Sequence, residues 1–141
     1  MNGNKILRSL LFVPANSWRM ITTAATEGAD AVILDLEDAC PLGEKETGRI
    51  FARDCVHMMR ENNVGVFVRV NSFDTGLTEQ DLSYIVVKEL DGIMLPKAES
   101  EKDIKVLDKL LREQEEKKGI EANSVTIIPL VENPKGVLAI S

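Results

Sequence analysis

The chain is 141 residues long, 44% hydrophobic and 28% charged, which is ordinary for one globular domain with a real core. Its formal net charge of −6 argues against nucleic-acid binding, so any anionic ligand must be held by a few local cations. No apolar stretch is long enough to span a bilayer, and residues 1–9 lack the apolar core of a signal peptide. The two cysteines have no metal-ligand spacing, so we expect a reduced, cytoplasmic protein.

The hydrophobic pattern predicts five strands that alternate with helices along residues 1–141, which we interpret as one domain. Ser17 and Ser100 are predicted helix N-caps, residues 78–81 resemble a capping box, and Gly119 marks a helix end. The predicted strands are residues 9–13, 30–34, 64–70, 92–95 and 124–131, and helices are predicted to begin near residues 17, 43, 78, 100 and 133.

Strands that alternate with helices through short loops indicate a parallel sheet with right-handed crossovers. Two architectures fit this pattern: an open doubly wound sheet, or consecutive units of a TIM (β/α)8 barrel. Hydrophobic periodicity does not separate them. The chain has about five of the eight units of a barrel, and it ends as a helix begins, so we expect an incomplete barrel.

The second predicted strand carries the most informative stretch of the sequence. Residues 31–34 are apolar without polar alternation, as expected for a strand that is buried on both faces, and three acids follow: Asp35, Glu37 and Asp38. Ligands of parallel α/β folds bind at the carboxyl ends of the strands. Clustered carboxylates there raise one another's pKa or attract a cation, which makes this edge a candidate site.

Charged residues also follow the other predicted strands. Arg69 and Asn71 end the third strand, Lys97 and Glu99 follow the fourth, and Glu132 follows the fifth. The planar guanidinium of an arginine suits a carboxylate or phosphate, and Mg²⁺ takes one or two protein carboxylates together with water and substrate oxygens. The set therefore favours an anionic, oxygen-rich substrate that chelates a metal.

Simpler interpretations stand beside this one. Arg69 could neutralise Glu37 or Asp38 in a structural ion pair. For Lys97 a salt bridge is favoured over catalysis, and Glu99 is interpreted as a charge that complements a helix N-terminus.

Five short motifs occur in order along nearly the whole chain. They are residues 8–14 (RSLLFVP), 33–39 (ILDLEDA), 68–71 (VRVN), 95–100 (LPKAES) and 129–134 (PLVENP). Together these motifs resemble the citrate lyase β-subunit family, within the HpcH/HpaI aldolase superfamily.

The resemblance implies a TIM barrel that cleaves or forms carbon–carbon bonds in acyl-CoA thioesters, such as citryl-CoA, malyl-CoA or citramalyl-CoA. It implies that Arg69 binds the substrate carboxylate and that Glu132 contacts both substrate and Mg²⁺. It places Glu37 and Asp38 beside the metal waters and the reacting centre, as the catalytic pair. The family's second metal carboxylate, an aspartate, follows a sixth strand that this sequence does not contain.

On this resemblance we expect the N-terminal portion of a family member, impaired by itself, that binds an acyl-CoA and a 2-oxoacid. We expect it to be a homo-oligomer or a subunit of a lyase complex. Three alternatives stay open: a Schiff-base aldolase that uses Lys97, a phospho-acceptor domain on an open sheet, and a non-catalytic assembly subunit. The sequence disfavours the phospho-acceptor domain, because such a domain has an acidic pair after its first strand, where this chain has residues 14–16 (PAN).

Overall fold

The computed structural model describes residues 6–141, in which five parallel strands alternate with five α-helices. The strands are β1 (Leu10–Pro14), β2 (Ala31–Asp35), β3 (Gly65–Arg69), β4 (Gly92–Leu95) and β5 (Thr126–Pro129). The helices are α1 (Trp18–Ala24), α2 (Lys45–Glu61), α3 (Thr78–Ile85), α4 (Glu101–Lys117) and α5 (Pro134–Ala139), and short 3-10 helices span Leu42–Glu44 and Phe73–Thr75.

The order of the strands decides between the two architectures that the sequence left open. Each strand pairs in parallel with the one before it, which gives the order β1-β2-β3-β4-β5. A doubly wound sheet reverses its strand order at a switch point, whereas a (βα)8 barrel adds each strand on the same side. The described residues therefore form five consecutive units of a barrel wall, and the incomplete barrel is confirmed.

Both faces of the central strands are buried, which explains the apolar run without alternation. Val32 and Leu34 of β2 belong to the large cluster between the sheet and the helices. Ile33 packs with Phe67 and Met94 in a smaller cluster on the opposite face. That opposite face is the barrel interior, and its upper end at the carboxyl ends of the strands carries the polar side chains.

Most predicted helix ends are confirmed. The Ser17 side chain accepts a hydrogen bond from the backbone of Met20, and Ser100 forms a reciprocal capping box with Asp103. Gly119, after α4, has a left-handed φ of 65°, a conformation that glycine adopts without strain. No helix in residues 6–141 is long and apolar enough to cross a membrane.

The capping box predicted over residues 78–81 is wrong. Leu77 occupies the N-cap position of α3, and no side chain caps it. The Thr78 hydroxyl instead donates to the backbone oxygen of Asn71 at 2.8 Å, and Asp81 accepts from Arg49 and Asn71. The side chains of Thr78 and Asp81, which the local pattern assigned to the cap, thus form tertiary hydrogen bonds instead.

Candidate functional site

A bidentate ion pair between neighbouring strands lies at the centre of the barrel-interior rim. Asp35 and Arg69 are register partners, the last residues of β2 and β3. The Arg69 Nε donates to Oδ1 of Asp35 at 2.8 Å, and Nη2 donates to Oδ2 at 2.5 Å. The guanidinium also lies over the Phe12 ring, 5.0 Å from its centroid. Asp35 therefore holds one edge of the Arg69 guanidinium and Phe12 restricts one of its faces, whereas Nη1 takes no part in the hydrogen bonds to Asp35.

The Nη1 end of Arg69 faces Glu37. The Nη1 of Arg69 is 3.6 Å from Oε1 of Glu37, which is beyond a direct hydrogen bond. The other carboxylate oxygen of Glu37, Oε2, is buried and has no hydrogen-bond partner within residues 6–141. A buried polar atom without a partner is costly, so this oxygen is a candidate contact for a ligand.

The pKa values of the two acids move in opposite directions. Burial raises the pKa of Glu37, the charge of Asp38 adds to this, and the charge of Arg69 opposes it. Burial also works against ionisation of Asp35, but hydrogen bonds from Arg69 and from the amides of Glu37 and Ala39 outweigh it and lower the pKa of Asp35. One acid is thus fixed as an anion, while the other is poised to hold a proton more readily than usual.

Glu132 reaches the rim from the end of β5. Its Oε2 accepts a hydrogen bond from the backbone amide of Lys97 at 2.9 Å, and the charge of Glu132 contributes to the raised pKa of Glu37. Lys97 has a left-handed φ of 53° and an exposed side chain. The salt bridge favoured for its ammonium group does not form within residues 6–141. Lys97 contacts Glu132 through its backbone amide, and its charge acts on Glu37 without direct contact.

The remaining predicted rim residues have different positions. Asp38 is exposed at the turn after β2 and acts on Glu37 and Arg69 through its charge. Asn71 was expected on the rim, but it is buried and its side chain donates to Asp81 at 2.8 Å on the helix side.

Glu99 does more than complement a helix N-terminus. Its Oε1 accepts from the side chain of Asn133 at 2.7 Å, and its Oε2 lies 3.2 Å from the Lys135 ammonium. It therefore ties the loop after β4 to the start of α5.

The predicted ion pair of Arg69 with Glu37 is present, at 3.6 Å, but it is not the closest pair that Arg69 forms. The main partner of Arg69 is Asp35, the acid to which the sequence argument gave no role of its own. One signal could have identified it, since Asp35 and Arg69 each end their strand and neighbouring parallel strands end at the same edge.

The donor set at the rim suits a hard cation only in part. Glu132 and the free oxygen of Glu37 are anionic oxygen donors, which Mg²⁺ prefers and of which it needs only one or two from protein. No group of three or more His, Cys, Asp or Glu side chains in residues 6–141 is arranged to hold a metal ion. Bound Mg²⁺ would therefore depend on water and substrate oxygens for the rest of its coordination.

Sequence comparisons show which known proteins this chain is similar to. The family model described as HpcH/HpaI aldolase/citrate lyase matches residues 8–141. A citrate lyase subunit beta of Haemophilus influenzae is 32% identical over 133 residues, which are 94% of this chain and 46% of that protein. A (3S)-malyl-CoA thioesterase of Cereibacter sphaeroides is 32% identical over 104 residues, which are 74% of this chain and 36% of that protein.

Two solved structures are also similar to this chain. The protein CitE of Mycobacterium tuberculosis in complex with magnesium and pyruvate is 29% identical with a TM-score of 0.68, covering 93% of this chain and 46% of that one. A malate synthase of Haloferax volcanii, 20% identical, shows the fold alone, with a TM-score of 0.86 over 99% of this chain and 47% of that one. This chain spans about half the length of the relatives that it matches.

Proposed function

This chain belongs to the HpcH/HpaI aldolase/citrate lyase family, and from that premise we propose that it contributes to the Mg²⁺-dependent cleavage of a carbon–carbon bond in an acyl-CoA thioester. The proposed reaction converts citryl-CoA into oxaloacetate and acetyl-CoA. The observation that carries the proposal is that Nη1 of Arg69 forms only a long ion pair, 3.6 Å, with Glu37, whose second oxygen is buried without a hydrogen-bond partner in residues 6–141.

Arg69 binds the carboxylate of the substrate in this proposal. Its Nη1 and the second hydrogen of Nη2 point away from Asp35, so they can receive a carboxylate end-on. Glu37 then lies next to the bound carboxylate, where its raised pKa suits a group that holds and moves a proton at its free oxygen. Exposed Asp38, the second member of the proposed catalytic pair, tunes Glu37 by its charge.

Glu132 is the residue proposed to hold Mg²⁺, because its carboxylate lies at the rim and is steadied by the Lys97 amide. When bound, the metal would stabilise negative charge on the substrate hydroxyl oxygen, which becomes the 2-oxo oxygen of the product as the carbon–carbon bond breaks. Glu132 itself orients toward the rim from the end of β5, and it contributes negative charge beside Glu37.

A malyl-CoA or citramalyl-CoA substrate is the second candidate. Its support is the identity of 32% to a (3S)-malyl-CoA thioesterase over 104 residues. All three substrates present a carboxylate beside the bond to be cleaved, and Arg69 can receive that group in each of them.

This chain spans about half the length of the relatives that it matches. Cleavage of the acyl-CoA is therefore proposed for the protein to which these residues belong. For the chain itself we propose ligand binding at Arg69 and Glu132, in a homo-oligomer or within a lyase complex. A non-catalytic assembly subunit is the competing role, and it requires no ligand binding.

The test is a pair of measurements on the purified chain with Mg²⁺. Calorimetric titration with pyruvate measures binding, and a coupled assay of oxaloacetate release from citryl-CoA measures cleavage. We expect Arg69→Lys to weaken pyruvate binding by about tenfold or more, since a bidentate contact to a charged group is lost. Arg53→Lys is the matched control, because Arg53 pairs with Asp54 on the outer surface of α2. Absence of pyruvate binding, or equal binding by Arg69→Lys, would contradict the proposal.

A further inference from the structure

Asp35 is the most completely hydrogen-bonded side chain at the rim. Its Oδ1 accepts from the amide of Glu37 at 2.9 Å and from Nε of Arg69 at 2.8 Å. Its Oδ2 accepts from the amide of Ala39 at 3.0 Å and from Nη2 of Arg69 at 2.5 Å. With 2% of its surface exposed, it has no room for a ligand of its own.

These four contacts join two parts of the proposed site. Two of them hold the cation at the end of β3, and the other two close the turn that carries Glu37. We propose that Asp35 is a positioning residue, which fixes the end of Arg69 and the turn over residues 36–39 so that Nη1 and Glu37 face the same space. The inference rests on the proposed function only in taking a carboxylate as the ligand.

The contacts also determine how a ligand can approach Arg69. The Nε edge of the guanidinium is occupied by Asp35 and one of its faces lies over Phe12, so a carboxylate can be received only at the Nη1 and Nη2 end. A ligand must therefore enter end-on, beside Glu37. Asp35 in this way determines the geometry of binding without touching the ligand.

Removal of Asp35 would free Arg69 to rotate. The Oε1 of Glu37 is already 3.6 Å from Nη1, so the released guanidinium would turn toward Glu37 and form a direct pair with it. That pair would neutralise the cation and occupy the acid. Loss of Asp35 should therefore weaken ligand binding more than a substitution elsewhere that destabilises the fold to the same extent.

A second buried acid provides a matched control for stability. Glu115 on α4 is also almost fully buried, accepts from an arginine (Arg112) and accepts two backbone amides, those of Asn123 and Val125. It lies at the far end of the sheet, near the start of β5. Glu115→Gln should therefore damage folding as Asp35→Asn does, and leave Arg69 undisturbed.

The first experiment uses the unmodified chain and nuclear magnetic resonance. The Nε hydrogen of Arg69 should exchange with water about tenfold or more slowly than that of Arg8, because a hydrogen bond to a buried carboxylate must open first. Arg8 is exposed and its Nε lies 3.9 Å from Asp30. Loss of the signal in Arg69→Lys assigns the resonance. Equal exchange rates at the two arginines would overturn the inference.

The second experiment compares Asp35→Asn with Glu115→Gln in titrations with sodium pyruvate and Mg²⁺. We expect Asp35→Asn to accelerate exchange at Arg69 Nε and to weaken pyruvate binding about tenfold or more, while Glu115→Gln changes neither. An equal loss of binding in both variants, or unchanged exchange in Asp35→Asn, would overturn the inference. If the unmodified chain binds no pyruvate, the proposed function fails, whereas the exchange rates still decide the role of Asp35. If Asp35→Asn does not fold, the first experiment decides it.

Discussion

Two buried arginine–aspartate pairs lie close to the end of the same strand, and they have opposite surroundings. Arg49 of α2 pairs with Asp81 of α3 at 2.7 Å, with 4% and 0% of the two side chains exposed. Arg69 of β3 pairs with Asp35 of β2 at 2.5 Å, with 13% and 3% exposed. Each arginine also lies over an aromatic ring, Arg49 over Tyr84 and Arg69 over Phe12.

The two pairs differ in the further contacts that their members make. Asp81 also accepts from the backbone and side chain of Asn71, so its pair closes upon the scaffold on the helix side of the sheet. The Arg69 pair lies on the barrel-interior side, where Nη1 of Arg69 is 3.6 Å from Glu37. The same two residue types thus support the fold on one side of β3 and present a cation on the other, and the face of the strand decides which.

The largest expected effect is on the free energy of unfolding, to which the Arg49–Asp81 pair should contribute strongly. Asp81→Ala should lower the free energy of unfolding by about 3–5 kcal/mol, because it leaves the charge of Arg49 buried and removes the acceptor of Asn71. Urea unfolding followed by circular dichroism measures this change. Asp54→Ala, which breaks the exposed pair with Arg53, serves as control and should change little. Similar losses in the two variants would show that the Asp81 network does not support the fold.

A smaller effect concerns the pH dependence of Glu37. Its pKa in the folded chain is raised above the ordinary value of 4.5, so its contribution to stability is complete below that value and is lost as pH rises through the folded pKa. Glu37→Gln cannot ionise, and its stability relative to the unmodified chain should therefore increase from about pH 4 to 7, by about 1 kcal/mol or less.

Urea unfolding of both proteins at several pH values measures that trend. Exposed Glu113 on α4 provides the control substitution, Glu113→Gln, which should show no comparable trend. A relative stability that decreases as pH rises would mean that attraction to Arg69 outweighs the burial of Glu37.

The smallest expected effect concerns the two aromatic rings. A cation over an aromatic ring contributes about 0.5–1 kcal/mol at partly exposed sites. Phe12→Leu should therefore weaken pyruvate binding by about two- to fivefold, because Arg69 loses the ring that restricts one of its faces.

Tyr84→Leu is the matched change at the other pair, 6.0 Å from Arg49, and it should leave pyruvate binding unchanged. Calorimetric titrations of both variants with Mg²⁺ present make the comparison. If Tyr84→Leu weakened binding as much as Phe12→Leu, the two pairs would not be functionally distinct.

Much of the fold was predictable because its signals are local. The apolar runs, the caps at Ser17 and Ser100 and the stop at Gly119 each depend on residues within one or two turns of chain. The strand limits were less certain, since the strand predicted over residues 124–131 extends only from Thr126 to Pro129. The capping box at Thr78 was wrong because Asn71 and Arg49, distant in sequence, bind its two polar side chains.

The candidate site shows the same division. Polar residues after each strand could be read directly, and the carboxyl ends of parallel strands had to share one edge. Which of those side chains pair was not predictable, since Asp35 and Arg69 are 34 positions apart and meet through the strand register. Asn71 was placed on the wrong side because it lies beyond the end of β3, where strand alternation no longer applies.

The sequence by itself determined the alternating βα units, the acids and the arginine that end the strands, and the family through its ordered motifs. Only the tertiary structure decided the consecutive strand order, the pairing of Asp35 with Arg69 and the free oxygen of Glu37. The physical reason is one of range: caps and hydrophobic periods are set by neighbours along the chain, whereas register and burial are set by strands and helices that the chain brings together only on folding.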